Sequence, residues 1–379
     1  MPNRREFLAM STLAAAGMAA GLRDASAKSS PHWKPYRNTI AIDGEGGFSL
    51  FYLDKDDDPS IPKEIAAAHE CGLSGVFFSV APNGRFWLND AAFENTKQFI
   101  AKSKAKIAAH PDTFTQILTV DDLKRANRER KVGLIFRFQG TEPLGEDSDR
   151  IPMFRDLGVR VIQLTHNRRN LVGDGCTEPS QAGLSHFGYE VVERLNQEKI
   201  VVDLAHGASQ TIADGIKASK SPPLISHTGS RALSDLPRCT SDENLRALAD
   251  KGGVAGVIFW PYLRTDTQPM AIDVIAHIEH MIDVCGEDHV GIGTDGQVPP
   301  VERTAAFEKD NREVIKGMKE DGIFDRNRPD DLYTFIPDLN LANRFEVLAT
   351  MLSARKHSDA RIAKILGGNF ERVLGEVWA

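Results

Sequence analysis

Two short β-branched runs, VVDLAH and PLISH, each close on a histidine, His206 and His227, and a helix-like segment lies between them. Neutral imidazole is the commonest metal ligand near neutral pH, so two of them in consecutive strand–helix–strand units read as a metal pair. Arg231 follows four residues after His227, and a guanidinium fork matches a free carboxylate. Each residue also has a purely structural reading. A histidine at a strand end satisfies nearby backbone groups, an aspartate there caps the following helix, and an arginine pairs with a surface acid. What points to chemistry is the concentration of such residues on one rim.

The elements that must form that rim recur along the chain. Strand-like apolar runs lie at 39–43, 75–80, 133–139, 159–166, 200–206, 223–227, 253–260 and 289–295. Amphipathic or Ala-rich stretches alternate with them at 62–71, 90–109, 120–130, 151–157, 188–198, 209–219, 242–251 and 271–284. Eight continuous apolar runs alternating with helices predict an α/β fold, a (β/α)8 TIM barrel whose parallel strands are buried on both faces. A doubly wound sheet would also alternate, but no G-x-G-x-x-G follows the first run, and GEGG at 44–47 is only a Gly-rich turn. Beyond Asp295 a polar, proline-containing stretch leads to C-terminal helices expected at 341–352 and 359–373. One domain over 39–379 follows. Barrel active sites lie at the carboxyl ends of the strands. The side chains there are Asp43 and Glu45, Ser79, Gln139, His166, His206, His227, Trp260 and Asp295.

The formal charge of −7 and the lack of a basic stripe argue against a nucleic-acid partner, which needs clustered Lys and Arg. The first residues carry Arg4-Arg5, then Phe7-Leu8, a weakly apolar run to Leu22, and Ala25-Ser26-Ala27. That order predicts a twin-arginine export signal over 1–27, followed by a linker over 28–38, and hence a periplasmic or otherwise exported protein. No stretch reaches the ~18 apolar residues a membrane span requires. Cys71, Cys176, Cys239 and Cys285 lie far apart without a C-x-x-C pair, which leaves their pairing open.

The segments LTHNRRN, SHFGYEVVERLN, VVDLAH, ISHTGSRALSDLPR, KGGVAGVIF, DHVGIGTD and ILGGNFERV together resemble the membrane (renal) dipeptidase family, zinc metallopeptidases on a (β/α)8 barrel. The resemblance runs from about Ile40 to Val377. It implies that His206 and His227 bind one zinc ion, that His166 polarises the scissile carbonyl and holds its oxyanion, that Arg231 grips the substrate carboxylate, and that Asp295 shuttles protons. It implies as well a dipeptide-like small-molecule substrate, a second zinc sharing a hydroxide with the first, and dimers.

The chain departs from that pattern in three places. The family's first strand ends in D-G-H-x-D, where this chain reads Asp43-Gly44-Glu45-Gly46-Gly47, and a bridging Glu of the third strand is replaced by Gln139. An amide is a poorer zinc ligand than a carboxylate, and Gly47 has no ligand side chain. The expectation is one zinc ion on His206, His227 and Gln139 with Glu45 helping, or no ion. Function then divides. One reading is an exported dipeptidase-like hydrolase of a small amide with a free carboxylate. The others are a binding protein or impaired pseudo-enzyme for such a ligand, and a hydrolase of another substrate such as a lactone with Glu45 as general base. Loops near 80–90, 141–150, 167–185 and 261–270 would shape the pocket.

Overall fold

The computed structural model describes residues 32–54, 57–81, 90–320, 322–324 and 326–379. The expected export signal and most of the 80–90 loop lie outside the described residues. Residues Lys34–Ala379 form one compact unit.

Eight parallel strands follow one another in chain order around the barrel: β1 (Ile42–Asp43), β2 (Gly75–Ser79), β3 (Val132–Phe138), β4 (Val159–Gln163), β5 (Val201–Asp203), β6 (Leu224–Ser230), β7 (Val254–Val257) and β8 (Val290–Ile292). The TIM barrel expected from the alternation is the fold observed. Its seam between β8 and β1 is closed mainly past the strand ends, where Gly46–Gly47 pairs in parallel with Gly296–Gln297. Gly44 N–H donates to Ile292 O at 2.8 Å, Asp295 N–H to Glu45 O at 2.7 Å, and Val298 N–H to Gly47 O at 2.8 Å. The seam therefore locks the loop after β1 to the loop after β8, and both carry candidate site residues.

The helices between strands are α1 (Ile61–Cys71), α2 (Ala91–Ala109), α3 (Val120–Glu129), α4 (Arg150–Asp156), α5 (His186–Gln197), α6 (Ser209–Ala218), α7 (Asp242–Asp250) and α8 (Ala271–Cys285). Their ends fall where local chemistry puts them. Thr119 and Asp122 form a capping box at the start of α3, and Ser185 and Ser241 accept N–H groups at the starts of α5 and α7. One helix was not expected: α9 (Ala305–Glu320), in the polar stretch beyond Asp295. Its buried stripe is only Asn311, Ile315 and Met318, too thin an apolar period to stand out among charges. The chain ends with α10 (Arg344–Ala354), α11 (Asp359–Ala363) and α12 (Asn369–Trp378). No helix among the described residues is long and apolar enough to cross a membrane.

Strand alternation stacks the barrel interior in layers. Ile42, Phe77, Ile135, Val161, Val201, Leu224 and Val254 form an apolar layer with Phe370 of α12 beneath it, and the Phe77 and Phe370 rings lie 5.4 Å apart. Each such buried side chain contributes ~1.5–3 kcal/mol. Two residues further along the same strands, the layer changes character: Ser79, Arg137, Gln163, Asp203 and Ser226 point the same way. Here the barrel is narrow. A Cβ added at Gly256 or Gly293 would lie 2.0 or 2.2 Å from Ser226 O, so only glycine lets β7 and the end of β8 approach β6 so closely.

Candidate active site

His227 lies inside β6, which runs on to Ser230, rather than closing its strand as the sequence suggests. His206 lies three residues past β5 and Asp295 three past β8, with left-handed φ of 62° and 54°. Such backbone costs of order 1–3 kcal/mol at a non-glycine residue and clusters at functional sites. The two imidazoles meet with Nε2 atoms 2.9 Å apart, and Asp295 Oδ2 lies 4.0 Å from His227 Nε2. The ligand atoms of His206, His227 and Asp295 all fall within 4.8 Å of one another.

The partners of these rings decide which nitrogens are free. Ser226 Oγ donates to Asp203 Oδ2 at 2.6 Å, so it accepts from His227 Nδ1 at 2.8 Å. Asn167 Oδ1 stands 2.7 Å from His206 Nδ1 and also accepts the Cys176 thiol. Both Nδ1 atoms therefore carry hydrogen, and both Nε2 atoms present lone pairs to each other. Two lone pairs at that distance repel unless a cation lies between them. Burial first, and then the Arg238 charge, hold the pKa of both rings well below the usual histidine range. Neutral imidazoles with Nδ1 pinned to a hydrogen-bond acceptor are the form that ligates metal. Asp295 adds a carboxylate that burial pushes up to about 6. Two imidazoles and a carboxylate fit a divalent ion of zinc type.

His166 stacks on His206 with ring centroids 4.2 Å apart. Burial, then Arg238 and Arg137, hold its pKa down to about 3, so it offers a neutral N–H. Gln139 Nε2 lies 3.5 Å from Asp295 Oδ1. Glu45 Oε2 lies 2.5 Å from Arg137 Nη1. Asp43 accepts from Thr294 N–H, from the Thr294 hydroxyl and from Glu45 N–H, and so fixes the turn after β1. Glu142, two residues past Gly140, has its Oε2 buried without a hydrogen-bond partner. A cavity of about 610 Å³ opens against Glu45, Gln139 and Asp295 and is walled by Tyr52, Phe99 and Lys102, a size that suits a small ligand.

Arg231 Nη2 donates to Pro237 O at 3.5 Å and its Nε is buried without a hydrogen-bond partner; its charge is felt at Cys239 and at Cys176, whose N–H donates to His206 O. Arg238 bears on the site as well. It is buried, donates to His227 O at 3.2 Å, and leaves Nε without a partner. Its charge acts on His166, His206, His227 and Asp295. Sequence reasoning missed Arg238, Asn167, Ser226, Asp203 and Arg137. For Arg137 a signal existed: a charge at an inward position of the apolar run VGLIFRF. Nothing local separates Arg238 from Arg231, since both follow β6 in one loop.

The family model described as Membrane dipeptidase (Peptidase family M19) matches residues 39–302. Dipeptidase tcpJ of Claviceps purpurea (strain 20.1) is 29% identical over 263 residues, 65% of this chain and 62% of that protein. The chain thus spans less than two thirds of the length of that relative. Dipeptidase verJ of Clonostachys rogersoniana is 29% identical over 280 residues, 67% of this chain and 71% of that protein. Among solved structures, an amidohydrolase from Pseudomonas aeruginosa superposes with a TM-score of 0.75 at 27% identity, covering 91% of this chain and 98% of the other. A metallo peptidase from Rhodobacter sphaeroides, liganded with a phosphinate mimic of the dipeptide L-Ala-D-Ala, shares the fold at a TM-score of 0.71 and 19% identity, covering 90% and 100%. The match over most of the barrel, from the first strand past Asp295, means that this chain belongs to the membrane dipeptidase family, peptidase family M19.

Proposed function

We propose that the chain is an exported hydrolase that cleaves a small dipeptide-like amide bearing a free carboxylate, with one divalent ion, zinc by its ligands, held by His206, His227 and Asp295. The observation that carries this reading is the pair of Nε2 lone pairs facing each other at 2.9 Å with both Nδ1 atoms tied to acceptors. An ion bound there would lower the pKa of a water and polarise the scissile carbonyl. The chain's own residues do the rest. His166 donates its N–H to the carbonyl oxygen as negative charge develops on it. Asp295, with a pKa raised to about 6, takes a proton from the attacking water and returns it to the leaving amine. Arg231 grips the carboxylate with an Nε that is buried and has no hydrogen-bond partner, and the charge of the buried Arg238 acts on the site beside it. Of the glutamine and glutamate expected as ligands, Gln139 lies 3.5 Å from Asp295 and Glu45 pairs with Arg137.

Export is supported by the twin-arginine segment at the start of the chain, and recovery of the mature chain outside the cytoplasm on cell fractionation checks it. For the site, the experiment is elemental analysis of purified mature protein, followed by a dipeptide panel before and after chelation. One ion per chain is expected, with hydrolysis lost on chelation and regained with zinc. A metal-free preparation that still cleaves dipeptides overturns the reading, as does a chain that binds dipeptides and cleaves none with the ion in place.

A further inference from the structure

Arg137 is wholly buried in the polar layer of the barrel, directly beneath the rim. Its Nη1 lies 2.5 Å from Glu45 Oε2, and its Nη2 lies 2.7 Å from Asp203 Oδ2. Nη1 donates further to Gly44 O and Ser226 Oγ, and Nη2 to Gln163 Oε1. Glu45 also lines the cavity beside Gln139 and Asp295, which is where a second cation would have to lie to share Asp295 with the first. A neutral barrel interior does not keep a full charge without counter-charges, so Arg137 and the two carboxylates form one unit. Gly47, on the same loop as Glu45, has room for a side chain: a Cβ there meets nothing closer than Gln297 at 3.7 Å. Ligand side chains at this end of the site are thus limited by charge, not by space.

We infer that the Arg137 guanidinium is a built-in cation that takes the place of a second metal ion, with Glu45 as its counter-ion, and that it restricts the site to a single ion. The inference rests on the one-ion reading above. Arg137 is a positioning residue as well: its hydrogen bond to Ser226 Oγ completes the set that directs His227 Nδ1–H onto that oxygen and leaves Nε2 free. In the unaltered chain this charge is taken up by Glu45 and Asp203; where Glu45 is replaced, the guanidinium repels a divalent ion beside residue 139.

Bound metal per chain, measured by elemental analysis after zinc loading and gel filtration, tests this on three proteins. They are the unaltered chain, the triple variant Glu45→His/Gly47→Asp/Gln139→Glu, and the same triple with Arg137→Val. Asp203 keeps its hydrogen bonds to Ser226 and to Ala205 N–H in the last of these, and circular dichroism checks its fold. Should that chain not fold, Arg137→Gln in the same background retains donors for Asp203 and removes the charge. The expected result is no added ion in the triple variant and one added ion on removal of Arg137. A second ion in the unaltered chain or in the triple variant overturns the inference, and so does a folded Arg137-free triple that gains none. A count of zero in the unaltered chain sinks the His206/His227/Asp295 site instead, while the difference between the two variants still decides the role of Arg137.

Discussion

The two halves of the barrel mouth are built on opposite principles. On the side of β5 and β6, His206 and His227 are neutral, and their unshared lone pairs converge at 2.9 Å. On the side of β1 and β3, Glu45 and Gln139 are already engaged, one by Arg137 and the other by Asp295. One half is arranged to receive a cation and the other contains its own. The difference shows how separable a strand-end site is. Each strand contributes its terminal side chain independently, so one half can change its charge bookkeeping while the scaffold stays a closed (β/α)8 barrel.

The strongest way to break this comparison is to remove the internal cation. Arg137→Met leaves Asp203 and Glu45 without their guanidinium, and a stability loss of ~3–5 kcal/mol is expected by urea denaturation. His206→Leu removes a lone pair rather than a counter-charge, and within about 1 kcal/mol of unaltered stability is expected for it in metal-free protein. Equal losses from both substitutions would erase the distinction drawn between the halves.

A smaller effect sharpens the other side. Asn167 touches the site through His206 Nδ1, so Asn167→Ala should weaken metal affinity by roughly 10–100-fold without altering the ligands. Competition with a chromogenic chelator reads this directly, and Gln139→Ala measured alongside should change affinity much less. An order reversed between the two would return Gln139 to the ligand set.

The smallest expected effect concerns pH. Burial pushes the Glu142 carboxyl up to about 7. An acid whose folded pKa is raised supports the fold fully below its unfolded pKa of 4.5, and that support is lost as pH rises through 7. Glu142→Gln should therefore flatten the fall in stability between pH 5 and pH 8 by on the order of 1–2 kcal/mol, read from urea midpoints at the two values. An unchanged slope would mean that Glu142 ionises in contact with water, and that this half of the rim is wetter than its packing indicates.

The barrel and much of the rim were legible without coordinates because both follow from local periodicity. Continuous apolar runs of five to eight residues, separated by capped amphipathic helices, specify parallel strands buried on both faces, and helix starts such as Thr119 with Asp122 are written in adjacent residues. Helix α9 escaped for the same reason in reverse: its apolar stripe is too thin to carry a period. The placement of His206, His227 and Asp295 on one rim also follows from strand ends alone, although the continuation of β6 past His227 does not. What sequence could not decide is which charged groups meet. Glu45 was expected to lean toward a metal, and Arg231 toward a substrate. The first is paired with Arg137 from another strand, and the buried Arg238, seven residues beyond Arg231 in the same loop, adds a charge at the site that the sequence did not single out. Period and propensity are properties of neighbouring residues. The pairing of buried charges depends on how closure of the barrel brings β1, β3, β5 and β6 around one axis, and only the tertiary structure settles that.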